Sequence, residues 1–172
     1  MILNQIKEFS LKRILKKSFL NNNQNLDVKA IKSVGLLINE KKFLHKTELI
    51  NELVNNGFKK ENIKILVFND KINSNQVLVY PTFSLKHVSL SGKFNENVVK
   101  DFINEKFDLL ISYYDIEKKI LMIVTNNSNA KFKAGFANID KRCNDLLIAT
   151  DVHNFKIFVS ELFKYLKILK KI

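Results

Sequence analysis

The turn at Ser91, Gly92 and Lys93 carries residue types that can hold an anion. It stands between a predicted strand and a predicted helix, where backbone N–H groups and a lysine suit a phosphate or a carboxylate. A nucleotide-binding Walker loop is excluded, because His87 occupies the position of its first glycine and Phe94 that of its magnesium-binding hydroxyl. Two interpretations of this turn stay open, a weak anion site and an ordinary strand-to-helix connection.

Tyr113, Tyr114 and Asp115 form the second candidate ligand-binding group. The two rings stand close to Lys118 and Lys119, a combination that suits stacking and charge contacts with single-stranded nucleic acid. Asp115 suits an acid role or a contact to a ribose hydroxyl. The alternatives are an aromatic pair that ends a buried strand and an aspartate that begins a helix.

The sequence holds no recognisable catalytic or metal-binding group. His45, His87 and His153 are scattered, and Cys143 has no second cysteine or histidine at metal-ligand spacing. The glycines that a dinucleotide-binding fold places after its first strand are missing, and no Gly-x-Ser-x-Gly nucleophile motif occurs. We therefore predict no catalytic residue, no metal and no cofactor, and a non-enzymatic protein is favoured over an enzyme.

Positive charge is concentrated at the two ends of the chain. The 172 residues contain 29 Lys and Arg against 17 Asp and Glu, a net charge of +12, and residues 1–21 and 155–172 each carry a net +4. Only two of the basic residues are arginines, so AT-rich codons could account for part of the lysine excess. The candidate nucleic-acid contacts are seven basic residues of these terminal segments: Lys12, Arg13, Lys16, Lys17, Lys167, Lys170 and Lys171. The four in the first segment are predicted to face solvent.

The spacing of apolar residues predicts the order of the secondary-structure elements. Residues 2–20 have helical spacing, and the polar run 21–25 separates this helix from the rest. Buried strands are predicted at 33–39, 63–68, 88–90, 107–113, 132–136 and 146–150. Helices are predicted from a cap at Thr47 to a stop at Gly57, after caps at Asn95 and Asn154, and over 116–125, where a strand is the alternative. Residues 77–80 are also strand-like, but Pro81 confines a strand there to a sheet edge.

About six strands in strict alternation with about five helices over residues 33–172 predict an α/β fold, a Rossmann-like three-layer sandwich with a mostly parallel sheet. Residues 1–25 are interpreted as a basic amphipathic N-terminal helix with its linker, outside this alternating core, and residues 26–172 as the Rossmann-like domain. Right-handed crossovers would put a ligand at the carboxyl ends of the strands. The single cysteine, the polar N-terminus and the lack of a long apolar run predict a cytoplasmic protein without a transmembrane segment.

Four blocks of the C-terminal half carry a resemblance to a known family: FDLLISYY, LMIVTNNSNAKFKAGFA, NDLLIAT and FKIFVSELFKYLKIL. Together with the basic N-terminal helix and IKSVGLLIN, they resemble an uncharacterised family of similarly sized proteins of unknown function from Bacteroidota, especially the flavobacterial lineage. The resemblance covers nearly the whole chain and implies the fold, but it brings no catalytic residue. A more distant similarity, which includes Gly135 and Phe136, is to the Rossmann units of sugar-nucleotide transferases.

These features favour a non-enzymatic cytoplasmic protein that binds RNA, or associates with the ribosome or another ribonucleoprotein, through its basic terminal helices. Two alternatives stay open. One is a small Rossmann-like enzyme that binds a nucleotide or a sugar at residues 91–93 and 113–115. The other is a peripheral membrane protein that attaches to the membrane surface through the helix 2–20.

Overall fold

Six apolar runs form the strands of one sheet in the computed structural model, which describes residues 2–20, 30–41, 43–71 and 77–172, with the backbone alone at residues 2–4. The strands are β1 (Val34–Asn39), β2 (Ile63–Phe68), β3 (Thr82–Phe83), β4 (Leu109–Tyr113), β5 (Phe132–Phe136) and β6 (Leu146–Ile148). The helices are α1 (Ile2–Leu20), α2 (Lys46–Asn55), α3 (Asn97–Asn104), α4 (Lys119–Asn127) and α5 (Phe155–Ile168). The linker predicted at 21–25 lies outside the described residues.

All strand pairings are parallel, in the order β3-β2-β1-β4-β5-β6. This is the strand order of the Rossmann fold, and it confirms the predicted fold class. Because the chain moves from β1 to β2 in one direction and from β4 to β5 in the other, right-handed crossovers place α2 and α4 on opposite faces of the sheet. Helix α5 packs against α2, whereas α1 and α3 pack against α4, which gives three layers.

The core surrounds the central strands β1 and β4, every residue of which is buried. Tyr113 at the end of β4 packs against Phe43, Phe136 and Phe158, with distances between ring centroids of 4.7, 5.0 and 5.1 Å. These rings come from three elements and one loop, so the end of β4 is fixed from several sides.

The third predicted strand, at 88–90, is wrong. The third strand of the sheet is Thr82–Phe83, directly after Pro81, and residues 77–80 form no strand. Val88 instead makes an isolated antiparallel bridge with Phe94, because the chain between them reverses in a tight turn. A two-residue edge strand is defined by its pairing with β2 and leaves almost no pattern in the sequence.

The predicted helices exist, but their starts differ from the predicted caps. Helix α2 begins at Lys46 rather than after Thr47, and α3 begins after Glu96 rather than Asn95. Asn154 does precede α5, yet its side chain makes no capping hydrogen bond. The position of each of these helices therefore follows from burial of its apolar face rather than from the predicted capping side chain. Gly57 follows α2 with a φ of +127°, as expected of a helix stop.

The strict alternation fails between β5 and β6. The nine residues 137–145 join these parallel strands without a helix, since so short a connection has no room for a helix and two loops. The region 116–125 was ambiguous between helix and strand, and the helical interpretation is confirmed by α4.

Candidate nucleic-acid interface

Helix α1 is docked on the sheet domain. It was predicted to lie outside the alternating core, but Leu11 is only 1% exposed and belongs to the common core. Asn126 at the end of α4 donates from Nδ2 to Ser18 Oγ at 3.2 Å, and Lys119 at its start pairs with Glu8 at 2.6 Å. Contacts at both ends of α4 hold α1 alongside it, so the basic side chains of α1 stand on a fixed support.

The outer face of α1 carries four exposed cations. Lys12, Arg13, Lys16 and Lys17 all face solvent, as predicted from the helical spacing. Within the described part of the chain, none of the four has a carboxylate partner. The ring of Phe9 stands beside them and is 72% exposed. A cationic face with an open aromatic ring can contact both phosphates and bases.

The turn at residues 91–93 lies against α1, so two groups that the sequence separates by almost eighty residues come together. Ser10 Oγ donates to the carbonyl oxygen of Leu90 at 2.7 Å. Gly92 has a φ of +81°, and a Cβ at this position would lie 2.3 Å from Ile14 Cδ1. The left-handed backbone conformation therefore favours glycine here, and a larger residue would also displace the end of the Ile14 side chain.

A cavity of about 360 Å³ marks the junction between α1 and this turn. Arg13 and Lys17 line it from the helix, and Ser91 lines it from the turn. Lys93 is also exposed, while its backbone N–H donates to Ser89 Oγ at 3.0 Å and so closes the turn. The predicted anion site is thus next to the predicted nucleic-acid site, and both can contact one polyanion.

A second cavity, of about 640 Å³, lies on the other side of the cationic row, and Arg142 forms its far wall. The guanidinium carbon of Arg142 lies 3.9 Å from the centroid of the Phe19 ring. Asp140 holds the guanidinium in place through hydrogen bonds of 2.9 and 2.6 Å, and Arg142 in turn lowers the pKa of Asp140. Sequence analysis missed Arg142 as a contact residue. Its rarity, as one of two arginines in a lysine-rich chain, was the available signal.

The comparison with protein families bears on this arrangement. A family of unknown function, DUF6913, matches residues 7–169, nearly the whole chain. The chain belongs to this family. The match confirms the predicted resemblance to an uncharacterised family, and it includes α1 from Lys7 together with the sheet. No curated protein and no solved structure matches the chain.

The C-terminal lysines of this DUF6913 chain do not join the α1 surface. Lys167 and Lys170 are exposed, but α5 packs against α2, on the face of the sheet opposite α1. Lys171 is buried, at 8% exposure, and its Nζ lies 4.7 Å from the centroid of the Phe132 ring. The two basic helices were predicted to act together. Because they lie on opposite faces, we keep only the α1 cluster as the candidate interface.

Tyr113 and Tyr114 have no ring face open to a base, since both side chains are fully buried. Tyr113 OH donates to the carbonyl oxygen of Val152 at 2.7 Å, and Tyr114 OH lies 2.8 Å from Thr125 Oγ1. Burial raises the pKa of both phenols far above the ordinary value. The two tyrosines therefore fit the alternative interpretation from the sequence, which is an aromatic pair at the end of a buried strand.

Polar groups gather at the carboxyl ends of β1, β2 and β4, where a Rossmann fold holds its ligand. The ion pair of Asp70 with Lys118, 2.5 Å long, joins the segment after β2 to the start of α4 and therefore passes the end of β1. Asn39, the last residue of β1, is 1% exposed, and neither polar atom of its side chain has a hydrogen-bond partner among the described residues. Within the same part of the chain, one buried carboxylate oxygen of Asp115 also lacks a partner.

The remaining candidate groups stand apart from one another. Within residues 2–20, 30–41, 43–71 and 77–172, no three His, Cys, Asp or Glu side chains are placed to hold a metal ion. Cys143 is buried, and burial raises the pKa of its thiol to about 12, so the thiolate is disfavoured. None of the described helices is both long and apolar enough to cross a membrane.

Lys133 is a buried base that the sequence pattern placed in a strand. It lies on β5 at 1% exposure, and its Nζ donates to the carbonyl oxygen of Asn126 at 3.3 Å. Burial lowers its pKa from the ordinary 10.5 to about 8, although the nearby charge of Asp145 acts in the opposite direction. The folded protein therefore releases this proton at a lower pH than the unfolded chain does.

We expect stability to increase between pH 8 and pH 9. In this range the unfolded chain keeps the Lys133 proton and the folded protein loses it, so the free energy of unfolding rises, by at most about 1.4 kcal/mol per pH unit. Above pH 9 the buried Cys143 opposes the rise, because its thiol ionises first in the unfolded chain. Urea unfolding of the wild type and of Lys133→Met at several pH values measures the effect. A rise of equal size in Lys133→Met would contradict the assignment.

Proposed function

We propose that this protein binds RNA, free or within a ribonucleoprotein such as the ribosome, through the outer face of α1. The observation that carries the proposal is the row of exposed cations on this helix, without carboxylate partners among the described residues, next to the open ring of Phe9. A surface of this composition suits a polyanion that also offers flat bases.

The arrangement of the cations supports the proposal. Lys12 and Lys16 are one helical turn apart, as are Arg13 and Lys17, so each pair spans about 6 Å along the axis. Because α1 is held by α4 and by the turn at Gly92, these positions are fixed before a ligand binds. Less ordering is then needed on binding, and several phosphates can be contacted at once.

The aromatic side chains favour single-stranded over double-stranded RNA. Phe9 is open to solvent, and the guanidinium of Arg142 already lies over the ring of Phe19 at the rim of the neighbouring cavity. Unstacked bases pack on aromatic rings and on guanidinium planes, whereas the bases of a duplex are already stacked on each other. Loops or single strands are therefore the expected targets.

A membrane surface fits this helix less well. An interfacial helix inserts a free apolar face among the lipids. The apolar side of α1 is already used, since Leu11 is buried and Ile14 and Leu15 pack against the core. The exposed apolar residues that remain, such as Phe9, lie among the cations rather than on a face of their own.

A second candidate function, the binding of a small polar ligand, is favoured by one specific observation. Asn39 is buried at the switch point of the sheet, and neither of its side-chain polar atoms has a partner in the described part of the chain. Asp70 and Asp115 each have a buried carboxylate oxygen that also lacks a partner there. Unpaired buried polar groups destabilise a protein by about 1–3 kcal/mol each unless something binds them. Hydroxyl groups of a sugar or a nucleoside suit this set of acceptors and one amide.

Fluorescence anisotropy with a labelled single-stranded RNA tests the proposed function. With four phosphate contacts, the slope of log K against log salt concentration should be about −2.8, so affinity should fall about 50-fold between 50 and 200 mM salt. Parallel titrations use a duplex RNA and vesicles that contain anionic lipid. The protein is also purified under native conditions, and mass spectrometry of the small molecules released from it detects a retained nucleotide or sugar.

The outcomes separate the candidates. Salt-dependent binding of single-stranded RNA, with weaker binding of the duplex and of vesicles, supports the proposal. Absence of RNA binding at low salt, or RNA binding that is insensitive to salt, overturns it. Binding to vesicles alone identifies the membrane alternative, and a stoichiometric small molecule without RNA binding identifies the switch-point site as the functional one.

A further inference from the structure

Half of the outer edge of β2 is left open by the shortness of β3. Strand β3 pairs only with the last two residues of β2, beginning with Thr82 opposite Val67. The N–H of Val67 donates to the carbonyl oxygen of Pro81 at 2.9 Å. Alternate residues of a parallel strand point toward the same neighbour, so the backbone of Ile65 points toward this edge as that of Val67 does.

Pro81 is the reason that the ladder stops. The next hydrogen bond of the ladder between β2 and β3 would run from the N–H of residue 81 to the carbonyl oxygen of Ile65, but proline has no N–H. Among the described residues, the N–H and C=O of Ile65 therefore have no backbone partner at this edge. An unpaired strand edge is a template on which another strand can add.

An apolar groove runs along the open edge. It has a volume of about 490 Å³, and its apolar walls include Ile65, Tyr80, Pro81, Val98 and Phe102. Val77 and Val79, in the segment that leads to the groove, are 89% and 80% exposed. Unpaired backbone and the apolar side chains that line the groove thus occur on one surface, as they do where another protein chain docks.

The charges around the groove indicate which chain docks there. Four charged side chains line it: Lys60, Lys64, Asp101 and Glu105. This patch is locally neutral on a chain of net charge +12, so it selects neither a polyanion nor a strongly charged peptide. Lys64 and Glu105 are 2.6 Å apart and exposed. A two-fold axis brings such a patch against itself, so the two copies together contribute two lysines and two glutamates whose charges cancel.

We propose that the open edge of β2 is an interface with a second copy of this chain. Residues 63–65 of the two copies pair in antiparallel fashion across a two-fold axis and join the two sheets into one. In this ladder the two copies of Lys64 lie opposite each other, and the Glu105 carboxylates offset their repulsion. None of the four α1 cations lines the groove, so this interface does not depend on RNA binding.

Sedimentation velocity over a series of protein concentrations tests the proposal on the full chain. We expect a concentration-dependent dimer for the wild type. Glu105→Lys puts four like charges at the axis and should raise the dimer dissociation constant by at least about tenfold, and Lys64→Glu should do the same. The double variant Lys64→Glu/Glu105→Lys restores opposite charges and should return the constant to within about threefold of the wild type.

A matched control separates the interface from a general charge effect. Glu161→Lys reverses one charge of a comparably exposed pair, with Lys164 on α5, and should leave the dimer unchanged. A wild type that stays monomeric at every concentration overturns the proposal. So does a dimer that tolerates Glu105→Lys, or a double variant that remains dissociated while circular dichroism shows it folded.

Discussion

Replacing Lys12, Arg13, Lys16 and Lys17 together by glutamate should weaken the binding of single-stranded RNA more than about 100-fold at 100 mM salt. A slope of about −2.8 corresponds to almost three decades of affinity between 1 M and 0.1 M salt, and this electrostatic part disappears with the four contacts. The same variant should show a nearly flat salt dependence. Anisotropy titrations at several salt concentrations measure both quantities.

The fold should survive these replacements, because all four side chains are exposed and the residues that dock α1 are unchanged. The matched control reverses three exposed lysines of α5 and one exposed lysine just after its end, namely Lys156, Lys164, Lys167 and Lys170. It alters the net charge equally but lies on the opposite face of the sheet. An equal loss of affinity in the α5 variant would show that net charge, and not the α1 surface, attracts RNA.

Local sequence patterns were sufficient for the elements that bury a continuous apolar run. The strand predicted at 63–68 coincides with β2, and that at 132–136 coincides with β5, because both are short, apolar and flanked by polar residues. The helix 2–20 coincides with α1, because Leu11, Ile14 and Leu15 recur at helical spacing and pack against the core. Each of these signals is contained within the element itself.

Elements that depend on distant partners could not be located in this way. Strand β3 exists because Thr82 and Phe83 pair with the end of β2, about fifteen residues earlier in the chain. A pair of residues has no periodicity, whereas the residues from Val88 onward carry a stronger apolar pattern. Val88 pairs only with Phe94 across a turn.

The sequence predicts the exposed cations of the candidate site, but not which distant residues the fold brings next to them. The exposure of the α1 cations follows from helical spacing. In contrast, the contacts of Ser10 with Leu90 and of Phe19 with Arg142 join residues that are far apart in sequence. Lys171 is buried against Phe132 and therefore does not belong to the candidate site, although its basic neighbours in the sequence indicated an exposed segment. Tertiary packing decided each of these cases.

Tyr113→Ala should lower the free energy of unfolding by about 3–5 kcal/mol and leave the direct contacts to RNA intact. The ring is fully buried and lies within about 5 Å of Phe43, Phe136 and Phe158, so its removal leaves a cavity that three other rings cannot close. Tyr113→Phe keeps the ring and loses the hydrogen bond to the carbonyl oxygen of Val152, for an expected loss of about 1–2 kcal/mol.

Urea unfolding measures both losses, and anisotropy titration of Tyr113→Phe, which stays folded, measures RNA affinity. We expect that affinity to equal the wild-type value, because the ring has no exposed face. Tyr165→Ala is the matched control, since this tyrosine is exposed on α5 and its removal should change stability by less than about 0.5 kcal/mol. A base-stacking role for Tyr113 makes the opposite prediction, in which Tyr113→Ala remains as stable as the control and loses RNA affinity.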